Sequence, residues 1–228
     1  LSNGNIFAIL ILAAVISLIL GMGLPTTANY IVMASLTAPV ILTLAADNGF
    51  LVPAIAAHLF VFYFGILADV TPPVGLAAYA AAGIAKADPI KTGIQGFKYD
   101  IRTAILPFMF FFNPELLLIS EIDALNPGNP AGWVWINNPF EIAVIFCTAF
   151  IGMMAFSCFT QGYFIVKTNI VERLIFLVAV PFMFLPKIME SYLGLPDHNI
   201  SYLIGISIVV GIYFNQKVKQ KTQAKIKA

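Results

Sequence analysis

Apolar runs close to the thickness of a bilayer recur along this sequence, and they constrain its fold more than any other feature. Ile6–Leu20, Tyr30–Ala46, Leu51–Ala68, Val74–Ala85, Thr103–Ile119, Phe140–Phe159, Val171–Leu185 and Tyr202–Phe214 are each dominated by aliphatic and aromatic side chains. About 20 apolar residues in a helix cross the ~30 Å hydrocarbon core. Burial in a large soluble core would require a polar surface as well. A soluble domain is about a quarter charged, whereas this 228-residue chain is 10% charged and 60% hydrophobic. The sequence therefore predicts an all-α polytopic membrane protein. It starts at Leu1 without a basic stretch and small-residue cleavage site, so it reads as cut from a longer polypeptide with no signal peptide. Cys147 and Cys158 would lie about 16 Å apart along one helix, too far for a disulfide, and read as small core residues.

Basic residues set orientation. Lys217, Lys219, Lys221, Lys225 and Lys227 place the C-terminal tail in the cytoplasm. Counting back one span at a time puts Gly162–Glu172 on the cytoplasmic side, Ser120–Pro139 outside and Lys86–Arg102 on the cytoplasmic side. Of the 12 basic residues, only Lys187 then falls outside. The loop at 120–139 carries Trp133 and Trp135, residues suited to a membrane interface.

Two of the apolar stretches are interrupted by residues that a buried helix does not favour. The first interruption, GMGLPTTAN from Gly21 to Asn29, separates Ile6–Leu20 from Tyr30–Ala46. Ile6–Leu20 would extend only about 22 Å as a helix. A re-entrant hairpin over 6–46 fits, entering from the outside and turning within the membrane. Two spanning helices joined at the cytoplasmic surface fit the same residues. The second interruption, Asp69-Val-Thr-Pro-Pro73, lies inside Leu51–Ala85. Pro72 and Pro73 remove two amide donors and push Thr71 out of helical conformation, so a broken helix over 51–85 is expected. Non-helical backbone at membrane depth is tolerated where protein buries it or where it lines a wet cavity. An ionisable residue there, Asp69, is a functional candidate.

Together the two breaks bring oxygen ligands and helix termini to one depth. Gly21, Gly23, Pro25, Asp69, Thr71 and Gly75 are the candidate sodium ligands, since helix C-terminal carbonyls, hydroxyls and a carboxylate suit a hard cation. Thr26, Thr27, Asn29 and Val74, at the facing helix N-termini, are the candidates for holding an anionic substrate. A kink needed only for packing is the competing reading of either break alone.

The stretches GMGLPTTANYIVMASLTAPVI and HLFVFYFGILADVTPPVGLAAYAAAGIAKADPIKTGIQGFKYDIRTAILPFMFFFNPELLLI carry a resemblance. Over about Asn5–Ile119 the chain resembles the large permease component of TRAP transporters (tripartite ATP-independent periplasmic transporters). It is most similar to permeases in which the small and large membrane subunits are fused. The resemblance implies a sodium-coupled importer of organic acids, often carboxylates, located in the inner membrane. It implies an extracytoplasmic binding protein as partner, commonly of the TAXI type, and two inverted repeats whose transport domain moves like an elevator. Residues 1–119 would be the second repeat: hairpin 6–46, broken helix 51–85, interfacial arm 86–102 and helix 103–119. The external loop 120–139 would follow, then a C-terminal extension over 140–228 with three helices and the basic tail. That makes four membrane helices after the broken one. The first repeat would belong to the missing remainder of the polypeptide, and no cofactor is expected beyond sodium as coupling ion. The chain departs from the family in its hairpin tip. Gly21-Met-Gly-Leu-Pro25 lacks the acid that many members carry there, while Asp69 stands where an uncharged residue is frequent.

Other residues admit several tasks. His58, about three turns from Asp69, is expected to bond a neighbouring helix, with proton coupling as the alternative. Asn113-Pro114-Glu115 is expected to mark a kink. The stretch Asp88–Arg102, with Ile90, Ile94, Phe97 and Ile101 spaced among polar residues, is expected to form an amphipathic interfacial helix. Intramembrane aspartyl proteolysis needs two facing carboxylates, and only Glu115 could accompany Asp69. A non-transporting scaffold is the third class of function, and it leaves both breaks unexplained.

Overall fold

A computed structural model describes residues 5–50, 52–122 and 133–227. The chain forms two compact units, Leu1–Val134 and Trp135–Ala228. Helix is the prevailing structure in both, as expected of an all-α polytopic membrane protein. Among the described residues, Thr26–Asp47, Pro139–Gln161 and Asn199–Gln223 are long and apolar enough to cross a membrane.

The first unit opens with a helical hairpin. Asn5 caps α1 (Ile6–Gly21) by accepting hydrogen bonds from the Phe7 and Ala8 amides. A turn over Met22–Pro25 leads into α2 (Thr26–Asp47). At 1.5 Å per residue the two legs measure about 24 and 33 Å. Next come α3 (Ala54–Ala68) and α4 (Leu76–Ala85), the halves of the broken helix. Asp88 caps α5 (Pro89–Asp100) by accepting from the Lys91 amide, with Pro89 in the first turn. Helix α3 is the centre of the unit, packed against α1, α2 and α6 (Ile105–Phe112). Its Ala56, Ala57, Phe60 and Val61 are fully buried, and Phe60 stacks edge-on against Phe108.

The helix expected over 103–119 is shorter than that. It stops at Phe112, and a 3₁₀ turn over Pro114–Leu117 follows. Pro114 offers no amide hydrogen and excludes Asn113 from helical geometry, so Asn113 sits at φ −134°. The chain then forms β1 (Ile119–Ile122), paired with β2 (Trp133–Trp135). Part of the region expected to be loop is thus a two-stranded ladder. Asp123, and the prolines of that region up to Pro130, lie outside the described residues.

The second unit contains α7 (Pro139–Gln161), α8 (Ile170–Phe184), α9 (Pro186–Leu193) and α10 (His198–Lys227). Three helices were expected here; α9 is the addition. Pro186 ends α8, and α9 leaves at 98° to it. Helix α10 also continues through the basic tail. Close helix packing depends on small residues: a side chain at Gly152 would run into the Phe184 ring, and one at Gly205 would stand 2.8 Å from Met183 Cγ.

One end of this unit is held by a polar cluster. Asn169 and Glu172 form a reciprocal capping box at the start of α8. Gln216, fully buried, donates to Glu172 and accepts from the Ile165 and Val166 amides. Lys219 donates to Glu172 at 2.6 Å, and Arg173 donates to the Phe159 and Thr160 carbonyls at the end of α7. Replacing Gln216 with Ala leaves two amides facing a buried position without their acceptor. Each such loss costs about 1–3 kcal/mol, so thermal melting of the purified polypeptide in detergent should show Gln216→Ala clearly less stable than an exposed substitution such as Gln220→Ala.

Candidate functional site at the two helix breaks

The break between α3 and α4 is a folded turn with most of its polar groups engaged. The amides of Asp69, Val70 and Thr71 donate to Ile66, Leu67 and Ala68, finishing α3. Across the break, the Ala77 amide donates to the Asp69 carbonyl at 3.1 Å, and the Tyr79 hydroxyl donates to the Pro73 carbonyl at 3.0 Å. The Pro72–Pro73 peptide is cis. Gly75 is buried, and a Cβ there would lie 3.0 Å from the Asp69 carbonyl oxygen and 3.1 Å from that of Val70. Only glycine lets those two carbonyls turn inward at this point. Helix α5 braces the turn from another side: Gly93 stands against Pro72, where a Cβ would come within 3.2 Å.

The hairpin tip meets this break. Gly23 adopts φ +81° and lies beside Val74, 3.5 Å from where a Gly23 Cβ would be. The Thr26 hydroxyl donates to Asp69 Oδ2 at 3.0 Å, joining the first turn of α2 to the end of α3. One turn further along α2, Asn29 is fully buried and its Nδ2 donates to the Gly65 carbonyl at 2.9 Å. Gly21 and Gly65 flank the Asn29 amide so closely that a side chain at either would collide with it. Next to Asn29, the Tyr30 hydroxyl shares a hydrogen bond with His58 Nδ1 at 3.1 Å. The first turns of α2 are thus bonded to α3 at three levels.

These contacts distribute the candidate residues unevenly. Thr26 meets Asp69, Gly23 meets Val74, and Gly75 packs on the Asp69 and Val70 carbonyls. Thr71, in the turn, donates back to the Leu67 carbonyl of α3 at 2.7 Å, which leaves its oxygen lone pairs as acceptors. The Gly21 and Pro25 carbonyls accept from the Leu24 and Asn29 amides. Thr27 and Val74 are exposed. Asn29 faces inward as a post between α1 and α3. Its Oδ1 is buried with no hydrogen-bond partner among the described residues, as is the Ser17 hydroxyl. The oxygens gathered here suit a hard cation in kind: a carboxylate, hydroxyls, carbonyls and one orphaned buried amide oxygen. Three partners fell outside the sequence reading: Gly65, Tyr30 and Gly93. A glycine between Phe64 and Ile66 in an otherwise bulky helix was the available signal for a close approach at Gly65.

Paired helix breaks facing each other in a polytopic helical protein form the kind of site that secondary transporters use. The model of the family described as tripartite ATP-independent periplasmic transporter, DctM component, matches residues 1–125, and the chain belongs to that family. A domain of unknown function, DUF3394, matches residues 142–194. No curated protein and no solved structure matches the chain.

Two glycine substitutions separate packing at the site from helix propensity. Gly65→Ala places a Cβ 2.9 Å from Asn29 Nδ2 and should cost about 1–3 kcal/mol through overpacking. Gly83→Ala meets nothing within 4 Å and should stabilise α4 by up to about 1 kcal/mol. Melting temperatures of the two variants should therefore move in opposite directions.

Proposed function

We propose that this chain supplies one half of the transport site of a sodium-coupled importer of organic acids. The importer sits in the inner membrane with its C-terminus in the cytoplasm and receives substrate from an extracytoplasmic binding protein. The family membership supports a secondary transporter. The observation that carries the site assignment is the Thr26–Asp69 hydrogen bond, which joins the two breaks into one locus.

In this reading the Asp69 carboxylate attracts sodium, with the Thr71 oxygen and the carbonyls of Gly21, Gly23, Pro25 and Gly75 as further oxygen donors. Thr26 and Thr27 open α2 and Val74 precedes α4; amides at a helix start favour an anion, that of Ala77 excepted because it is bonded to the Asp69 carbonyl. Asn29 supports these termini from beneath through Gly65. The coupling follows from charge. An anionic substrate approaching the helix N-termini is repelled by an unneutralised Asp69, so a cation on Asp69 raises anion affinity. By linkage the anion raises sodium affinity to the same degree.

Thermal melting of the full polypeptide in detergent tests this, in NaCl, KCl and choline chloride at equal ionic strength. A ligand at 100 times its dissociation constant stabilises by about 2.7 kcal/mol. Sodium should raise the melting temperature selectively, an added carboxylate should raise it further only in sodium, and Asp69→Asn and Thr26→Val should both reduce the sodium increment. Equal melting in all three salts would overturn sodium coupling. Proton coupling would then be the reading to pursue, through the Tyr30–His58 pair, with His58→Gln assayed for pH-driven uptake.

A further inference from the structure

The second unit ends in a positively charged face at the end of a helix long and apolar enough to cross a membrane. Helix α10 has 30 residues and is about 45 Å long at 1.5 Å per residue, against a ~30 Å hydrocarbon core. Its apolar part closes at Phe214, and lysines begin at Lys217. Gln216, between them, accepts from the Ile165 and Val166 amides at 3.2 and 3.0 Å, so the segment linking α7 to α8 is held at the same level. Gln216 thus stands where the apolar part of α10 gives way to its lysines, the kind of transition that membrane helices make at the headgroup layer.

Lys167, Lys217 and Lys221 are exposed around this level. The Lys217 ammonium stands 4.8 Å from the centre of the Tyr213 ring. Tyr163, 59% exposed on the same segment, is an aromatic of the kind enriched at membrane interfaces. Among the described residues of this end, Glu172 is the acid. It is buried and taken up by Lys219, Gln216 and the Asn169 amide. The charge turned outward is therefore cationic.

We infer that this face binds the phosphate headgroups of anionic phospholipids in the adjoining leaflet, with Lys167, Lys217 and Lys221 as the contact residues. The depth of the face and its charge select the occupant. Anionic lipid draws basic residues at a membrane surface, with a gain on the order of five-fold in binding per lysine. The inference rests on the second unit alone and is independent of the transport reading.

The test is thermal melting of the full polypeptide in mixed micelles containing either phosphatidylglycerol or phosphatidylcholine, with soluble glycerol phosphate as a third arm. Potassium is the salt throughout, so that a sodium site does not contribute. Phosphatidylglycerol should raise the melting temperature above that in phosphatidylcholine, and added choline chloride should shrink the difference by screening. The triple variant Lys167→Gln, Lys217→Gln, Lys221→Gln should keep its melting temperature in phosphatidylcholine and lose the increment. The corresponding triple Arg variant should retain it, which distinguishes lost charge from lost folding. Equal wild-type melting in the two lipids would overturn the inference. So would an undiminished increment in the triple Gln variant. An equal shift with soluble glycerol phosphate would assign the face to free phosphate and overturn the lipid assignment.

Discussion

Hydrocarbon cannot satisfy the backbone of an interrupted helix, so a break in a membrane helix needs protein partners or a wet cavity. Pro72 and Pro73 make the need acute between α3 and α4, because neither can donate. The structure answers with groups drawn from several levels. The Ala77 amide reaches back to the Asp69 carbonyl, Tyr79 covers the Pro73 carbonyl, and Thr71 folds back onto α3. The Asp69 carboxylate is engaged from another element, by Thr26 of α2. The break is therefore completed by the hairpin, and the position of the hairpin tip is fixed in part by the break. Small residues make the approach possible: Gly21 and Gly65 leave room for Asn29, Gly75 for two carbonyls, and Gly93 for Pro72.

Both interruptions were legible in the sequence because their causes are local. Proline removes a donor wherever it stands, and GMGLPTTAN is too rich in turn residues to continue an apolar helix. The kink at Asn113-Pro114 was legible for the same reason. Its consequence was not, since loss of one helical turn and entry into a strand depend on the partner segment at Trp133–Trp135, distant in sequence. Helix α9 was hidden in the same way: Pro186 announces a stop, but the 98° turn after it is decided by packing on α10. At the site, composition marked Thr26 and Asp69 separately. Their pairing is a tertiary fact. Asn29 illustrates the limit. A polar residue near a helix terminus reads as a ligand; its burial against Gly21 and Gly65 is a tertiary fact that no local pattern carries.

The second unit obeys the same accounting with different residues. Where α7 ends, its last carbonyls are met by Arg173, and the amides of the following segment are met by Gln216. Glu172 could be buried because three donors surround it; a lone buried carboxylate would be costly. Gln216 sits in a helix otherwise apolar on its N-terminal side, and from sequence it reads as the first residue of a solvated tail. Its full burial shows that α10 stays tethered to the segment linking α7 to α8 where its lysines begin.

The placement of the acid is the point at which architecture and chemistry meet. A carboxylate within the tip would stand in the turn Met22–Pro25, where Gly23 adopts a positive φ that other residues rarely take. A carboxylate at Asp69 is carried instead by the last turn of α3, the helix at the centre of its unit. Its charge sits at the end of the more buried of the two elements, and the hairpin contributes a neutral hydroxyl. Displacing the tip thus breaks a hydrogen bond to a charged acceptor but carries no charge away. The negative charge at the break therefore does not depend on the Thr26 contact. Under the proposed function, the cation would be held chiefly by the end of α3, and the anion by the helix starts of the hairpin and of α4.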